Sequence, residues 1–243
     1  MACIISLMTD DTHASRRPGG PPLGPLAIVT FALTLAGVVT LLAGTGTVPA
    51  PFAPASDVAD WYSGHALMIR IAATLQLGAA VPLGILAASV YARQLRLGVR
   101  VPGPVIGLYG GIAASLLLIG SALGTWAIVS GPEAADPATA AALGRLAFAL
   151  GGVGYAVGMG LLIAGIAVPA LILRLIPRWL ALVGLVIAAA GEVAFLSLVI
   201  DPLQALLPLV RFGGGAWLIA AAFLLPRDRP RRGPRSTGSE EAS

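Results

Sequence analysis

Residues 141–173 read AALGRLAFALGGVGYAVGMGLLIAGIAVPALIL, an apolar stretch whose single charged residue is Arg145. A helix needs about 20 apolar residues to cross the hydrocarbon core of a bilayer, which is about 30 Å thick. The stretch is therefore long enough to span a membrane, and its excess length predicts a tilted or protruding helix. Pro169 lies inside the stretch and predicts a kink, because proline has no backbone N–H.

The whole chain shares the composition of this stretch. Of its 243 residues, 57% are hydrophobic and 11% are charged, whereas soluble domains carry about 25% charged residues. The chain is therefore predicted to be an all-α polytopic membrane protein, with a six-helix transmembrane domain over residues 25–226. Pro82 predicts a second kink. The predicted spans are Pro25–Gly46, His65–Ala92, Pro104–Ser130, Ala141–Leu173, Trp179–Ile200 and Leu203–Leu225.

The arginines indicate how these helices are oriented. All fifteen basic residues are arginine, and twelve of them lie in the two tails and in alternate loops. The other loops, around Thr47–Gly64, Gly131–Ala140 and Asp201, contain none. Because cytoplasmic loops carry the excess of basic residues, both termini are predicted to be cytoplasmic. The exclusive use of arginine, with abundant alanine and glycine, is typical of a GC-rich bacterial genome and favours a bacterial inner membrane.

The two ends of the chain differ from the apolar middle. Residues 1–24 and 227–243 are polar and are predicted to be disordered cytoplasmic tails, with Met8 as an alternative start to Met1. The basic half of the second tail leaves open an attraction to anionic lipid headgroups. Cys3 is the only cysteine, and the histidines are two, so we predict no metal and no cofactor. The net charge of +4 follows the topology and does not indicate nucleic-acid binding.

Three arginines lie inside the apolar stretches, each nine or ten residues after an external aspartate. The pairs are Asp60 and Arg70, Asp136 and Arg145, and Asp201 and Arg211. Asp136 and Asp201 each precede a proline, which predicts the start of a helix. The pattern predicts three helical hairpins, each returning helix carrying an arginine roughly 12–15 Å below its external start. Chance matching in an arginine-rich chain is the alternative.

An arginine inside a membrane usually faces a partner or a cavity. Glu192 and Arg211 have matching depths in a tight antiparallel hairpin, so the sequence predicts an ion pair between them. Arg70 and Arg145 have no acidic residue at their depth. Three alternatives stay open for them, namely reaching external headgroups, donating to backbone carbonyls, or lining a cavity that accepts an anion. Gln76 lies deeper than Arg70 and completes the candidate polar binding set.

His65 is a candidate pH-sensitive group, because it lies near Asp57 and Asp60 at the external end of the second span. A hydrated interfacial histidine is the simpler interpretation. Trp61, Tyr62 and Trp179 are predicted to be aromatic anchors at the membrane surfaces.

Glycines crowd the fourth span, where Gly154 and Gly158 form a G-x-x-x-G pair. Such pairs allow helices to approach closely, so we predict close packing within the chain. A homodimer contact through these glycine-rich helices is the alternative. The glycines crowded in the second part of this span are Gly151, Gly152, Gly154, Gly158, Gly160 and Gly165.

The run Leu175-Ile176-Pro177-Arg178-Trp179-Leu180-Ala181-Leu182-Val183-Gly184 resembles a large family of uncharacterised six-span bacterial membrane proteins, known as a domain of unknown function. Gln76-Leu77-Gly78 and the run Tyr91-Ala92-Arg93-Gln94-Leu95-Arg96 look similar to that family as well. The resemblance extends over about residues 25–227. It implies the six-span architecture and brings no activity with it.

No catalytic arrangement is visible in the sequence. Ser115, Ser121 and Ser197 are isolated membrane hydroxyls, and a nucleophilic serine needs a base within reach. We therefore predict a non-enzymatic protein with a binding, regulatory or accessory role, acting through membrane lipids or protein partners. The alternative is a small transporter, or a carrier of lipids or anions, with an outward-facing cavity lined by arginines. The two hypotheses differ in whether the membrane arginines converge on a cavity.

Overall fold

The computed structural model describes residues 21–50, 53–131 and 136–227, so the predicted tails lie outside it except at their inner ends. Within these ranges the regular structure is helical throughout and contains no strand. Six of its seven helices are long and apolar enough to cross a membrane, which confirms the predicted fold class. The helices are α1 Leu23–Thr45, α2 Ala55–Gly64, α3 Ala66–Arg96, α4 Gly103–Ser130, α5 Pro137–Ile172, α6 Arg178–Leu198 and α7 Asp201–Leu224.

The six spans begin and end within four residues of their predicted bounds, and two features were not predicted. Helix α1 begins at Leu23, so the end of the predicted tail 1–24 is helical. The loop predicted around Thr47–Gly64 contains helix α2, which buries Val58, Ala59 and Tyr62 on one face. Its burial against α5 explains why ten residues of moderate hydrophobicity form a helix there, since short helices depend on tertiary packing.

Consecutive spanning helices pack side by side around the bundle. The most extensive contacts join α1 with α3, α3 with α4, α4 with α5, and α5 with α6, while α7 contacts α6 and α1. The three predicted hairpins are therefore parts of one continuous bundle, because contacts between hairpins are as extensive as those within them.

The glycines of α5 allow this close packing. A Cβ atom at Gly165 would overlap the backbone of Gly107 on α4, and one at Gly158 would lie 2.7 Å from the amide nitrogen of Ala114. On the opposite side of α5, a Cβ atom at Gly191 of α6 would lie 2.9 Å from the Cα of Gly160. These contacts confirm packing within the chain, and a homodimer contact through the same glycines would compete with it.

Pro169 lies inside α5, as predicted, and Gln94 compensates for it. A proline cannot donate to the carbonyl four residues before it, which here belongs to Gly165. The Nε2 of Gln94, a fully buried side chain, donates a hydrogen bond of 2.9 Å to that carbonyl oxygen. The side chain thereby satisfies a backbone acceptor that would otherwise stay unpaired inside the membrane.

Helices α5 and α7 depart from α-helical geometry at the level where they approach each other. Helix α5 has a π-helical turn at Ala149–Gly154, and α7 has one at Leu209–Gly213 after a 3-10 turn at Asp201–Ala205. The turn in α5 accommodates Ser121, whose Oγ donates to the carbonyl of Ala147 at 2.7 Å and lies where Gly151 has no side chain. Single π-helical turns are frequent at functional sites.

Candidate functional site

The bundle contains a partly open cavity of about 400 Å³ at the end where α2 lies. Helices α1, α2, α3, α4, α5 and α7 all contribute to its wall, so residues distant in sequence meet there. Its size is within the range of about 300–1,000 Å³ for small-molecule sites. The apolar side chains of the wall include Val38, Leu41, Ile69, Phe148, Leu207 and Phe212, and its polar side chains are Tyr62, Gln76, Ser121, Thr125, Arg145 and Arg211, with the indole of Trp61.

Helix α2 forms one side of this cavity. Trp61 and Tyr62 line it and pack edge to face, with ring centroids 5.0 Å apart. Burial raises the pKa of the Tyr62 phenol, so its hydroxyl stays neutral. The Nε1 of Trp61 is buried and has no hydrogen-bond partner in the described part of the chain. The two aromatic residues predicted as membrane anchors therefore face the interior, whereas Trp179 is 65% exposed, as an anchor would be.

Arg211 lies at the bottom of the cavity, between the two π-helical turns. Its guanidinium donates a hydrogen bond to the carbonyl of Gly151 and lies over the ring of Tyr155, 4.9 Å from the centroid. The carbonyl and the aromatic face both stabilise a cation in a medium of low dielectric constant. Beyond Arg211 lies a void of about 10 Å³, which holds about one water molecule.

The predicted ion pair between Glu192 and Arg211 is not formed. Glu192 faces α5, since its Oε1 would lie 2.8 Å from a Cβ atom placed on Gly160. That oxygen is buried and has no hydrogen-bond partner among the described residues. The prediction matched depth along the membrane and could not account for rotation about the helix axes. The indole of Trp217 packs on Gly184 and donates to the carbonyl of Leu180 at 2.7 Å, and so joins α7 to the beginning of α6, far along the helix from Glu192.

Arg145 lines the cavity from α5, and its side chain forms no hydrogen bond or ion pair with any described residue. The start of its helix is the one predicted, because the Asp136 side chain accepts from the Thr139 amide at 3.1 Å and Pro137 follows it. Its side chain is also exposed, so the structure fits the alternatives of lining a cavity and of reaching external headgroups, and it shows no donation to a described backbone carbonyl.

Arg70 lies outside the cavity wall. Its Nη2 donates to the carbonyl of Val129 at 2.9 Å, near the end of α4. The last carbonyls of a helix lack helical donors and carry partial negative charge, so a guanidinium is favourable there. Arg70 thus takes the backbone-carbonyl alternative. Asp60 belongs to α2 and His65 interrupts the helix, which places Arg70 one turn into α3.

The three arginines consequently do not share one depth or one role. Asp201 lies at the start of α7, as its pairing with Pro202 predicts, but the first turn is a 3-10 helix, and the Asp201 side chain lies 3.4 Å from the Nε2 of Gln204. The predicted repeat assumed that an unbroken α-helix follows each aspartate. The helix breaks at His65 after Asp60, and a 3-10 turn follows Asp201, so the three segments do not repeat.

Of the two remaining candidate residues, Gln76 lines the cavity and His65 does not. Gln76 lines the cavity from α3, and its side-chain amide makes no hydrogen bond with the described residues. His65 is absent from the wall, and its Nδ1 lies 2.9 Å from the carbonyl oxygen of Trp61. The cavity therefore unites Arg145, Arg211 and Gln76 and leaves out Arg70, Glu192 and His65.

The charge in the cavity has one sign. Two guanidinium groups line it, and none of the described lining residues is aspartate or glutamate. Gln76, Thr125 and the Trp61 indole add donors without adding negative charge. Positive charge in a cavity with apolar walls is weakly screened and attracts anions more strongly than the same charge in water.

The aromatic side of the cavity and Thr125 were not predicted from the sequence. The signal for Trp61 and Tyr62 was present in the ten residues from Ala55 to Gly64, where Val58, Ala59 and Tyr62 follow a helical period. Thr125 left no signal of its own, because its position depends on how α4 packs against α3 and α5.

The architecture defines the chain as a multi-pass helical membrane protein. Comparison of the chain with family models, with curated proteins and with solved structures finds no match. The resemblance seen in the sequence thus stays a prediction, and the geometry of the cavity is the basis for a function.

Proposed function

We propose that this chain is a non-enzymatic integral membrane protein that binds an anionic ligand in the arginine-lined cavity. The observation that carries the proposal is the presence of Arg145 and Arg211 in a 400 Å³ cavity without a described acidic residue in its wall. An unpaired charge in a membrane is costly, so a guanidinium without a protein partner favours an anion as its partner. Arg145 is such a group among the described residues.

In this proposal the protein lies in a bacterial plasma membrane with both termini cytoplasmic, so the cavity is on the external side. The arginine distribution supports that orientation. It is tested by labelling single cysteines with a membrane-impermeant maleimide in intact cells, on a Cys3→Ser background. Ser63→Cys, on the exposed part of α2, should be labelled, and Val101→Cys, in the exposed loop after α3, should not. The reverse pattern overturns the orientation.

Anion binding is tested on the purified protein in a neutral detergent. A panel of inorganic phosphate, benzoate and dodecyl phosphate is titrated while thermal unfolding is followed, since a ligand that binds the folded state raises its stability. The matched variants are Arg145→Ala, which removes the cavity guanidinium, and Arg70→Ala, which removes a guanidinium outside the wall. At least one anion should bind the wild type and the Arg70→Ala variant more tightly than Arg145→Ala. If no anion binds in a way that depends on Arg145, the proposed function is wrong.

A second candidate is a carrier that moves the ligand across the membrane. The small void beyond Arg211, lined by Thr30, Thr34 and Tyr155 among others, supports it because it continues the line of the cavity. The packed side chains of Leu83, Leu86 and Met159 close that route here. Uptake of the bound anion into proteoliposomes separates a carrier from a binding protein, and Arg145→Ala should lower uptake whereas Arg70→Ala should not. Binding without uptake removes the carrier hypothesis.

A further inference from the structure

Helices α1 and α7 pack together at one end of the bundle and are farther apart at the end where the cavity lies, and we call this wider separation the α1–α7 gap. At the end of the bundle away from α2 these helices are in contact, because the rings of Phe31 and Phe223 fill the space beside Gly215 and Gly24. At the α2 end, α1 makes few contacts with Leu206–Gly213 of α7. The two helices there line the cavity from separate positions, α1 with Val38 and Leu41, and α7 with Leu207, Pro208 and Phe212.

The side chains of α1 and α7 that line the cavity beside this α1–α7 gap are apolar, apart from Arg211, whose guanidinium reaches α5. Val38 and Leu41 lie on one side and Leu207 and Phe212 on the other, while Leu42 and Leu209 next to them are about half exposed. A water-filled entrance for a small hydrated anion would be expected to carry polar groups, because an apolar border offers nothing to replace the anion's water. The border therefore suits an alkyl chain.

The charged groups lie farther from this border. The guanidinium of Arg211 extends from α7 to the π-helical turn of α5, where it contacts Gly151. Arg145 lines the cavity from the part of α5 that precedes this turn. Both guanidinium groups are therefore at the α5 side of the cavity. A ligand that enters from α1 and α7 thus meets apolar walls first and cations last. That order matches a molecule with an anionic head and an apolar tail.

We infer that the ligand is an amphipathic anion, a single alkyl or acyl chain with a phosphate or carboxylate head, that enters from the bilayer through the α1–α7 gap. Its head lies between Arg145 and Arg211, and its chain lies along Val38, Leu41, Leu207 and Phe212. The inference rests on the proposed anion-binding function and adds the class of ligand and its route.

The test compares dodecyl phosphate and laurate with inorganic phosphate and acetate, using the protein in nanodiscs of neutral phosphatidylcholine. Val38→Trp places a large ring in the gap, and Val39→Trp is the matched control because Val39 lies in the same turn, is 54% exposed and does not line the cavity. Leu41→Trp serves as a second gap variant in case Val38→Trp does not fold. The readout is the dissociation constant from the ligand-dependent unfolding temperature.

The expected result is that dodecyl phosphate or laurate binds and that its headgroup analogue without the chain binds at least roughly tenfold more weakly. Arg145→Ala should weaken binding of the amphiphile by roughly tenfold or more, as loss of a charge-assisted hydrogen bond does. A gap variant should weaken it as well, and Val39→Trp should leave it unchanged.

Two results overturn the inference while leaving the proposed function in place. One is Arg145-dependent binding of inorganic phosphate or acetate that is as tight as that of the amphiphile. The other is amphiphile binding that depends on Arg145 but is equal in both gap variants and the control. Amphiphile binding that is unaffected by Arg145→Ala, with no binding of the small anions, overturns both the inference and the proposed function.

Discussion

Arg211 on α7 donates a hydrogen bond to the carbonyl of Gly151 on α5, and this contact joins the two π-helical turns of the bundle. The glycine is required there because Ser121 of α4 occupies the space where a side chain would be. One guanidinium thereby has two roles, since it closes the bottom of the cavity and contributes half of its positive charge.

Replacing Arg211 by alanine should destabilise the protein more than replacing Arg70. The Arg211 variant loses a hydrogen bond to a charged donor and a cation–π contact, at a cost of roughly 1.5–3 kcal/mol. Arg70→Ala loses a hydrogen bond at an exposed position, and about 1 kcal/mol or less is expected. Thermal or denaturant unfolding in detergent measures both. Equal destabilisation would contradict the role assigned to Arg211.

Gln94 and Pro169 should be energetically coupled. Gln94→Leu leaves the Gly165 carbonyl without a donor and should cost roughly 1–3 kcal/mol of unfolding free energy. Pro169→Ala restores a backbone N–H that can donate to the same carbonyl. Gln94→Leu should therefore cost less, by about 1 kcal/mol, when Pro169 is alanine. A double-mutant cycle measures the difference, and additive effects would show that the two residues act independently.

Gly165→Ala should disrupt the contact between α4 and α5. The added Cβ would overlap the backbone of Gly107, which cannot move aside as a side chain can, so the cost is at least about 1–3 kcal/mol or a loss of folding. Gly78→Ala is the control, because its Cβ would lie 3.7 Å from a methyl group of Leu33. The two variants are compared by the yield of monodisperse protein and by its unfolding temperature. A tolerated Gly165→Ala would argue against this packing.

The start of α5 should loosen at acidic pH. Hydrogen bonds from the Thr139 hydroxyl and amide hold the pKa of Asp136 below its ordinary value. A carboxyl group whose pKa is lower in the folded state stabilises that state above its unfolded-state pKa, and this contribution is lost as the pH falls through the folded-state pKa. Hydrogen exchange at the Thr139 amide, corrected for its intrinsic pH dependence, should be less protected at low pH. Asp136→Asn, which retains an acceptor but does not ionise, should abolish that pH dependence.

The candidate site was predictable only in part. Arg145 and Arg211 were recognisable because a charge within an apolar stretch stands out, and Gln76 was recognisable as a polar residue in such a stretch. Arg70 lies outside the cavity, and Glu192 faces Gly160. Both placements depend on how each helix is rotated about its axis, which the position of a residue along its span does not specify. Trp61 and Tyr62 reached the cavity because a short helix folds over it, within a segment predicted as a loop.

The sequence by itself determined that the chain forms six apolar helices, and where each begins and ends to within a few residues. These properties follow from local length, hydropathy and charge, since a bilayer selects each span separately. The tertiary structure alone decided which polar groups meet. Contacts such as Arg211 with Gly151 and Gln94 with Gly165 join residues about 60 to 70 positions apart. They depend on glycine contacts and π-helical turns that set the rotation of each helix, and the cavity is a consequence of that packing.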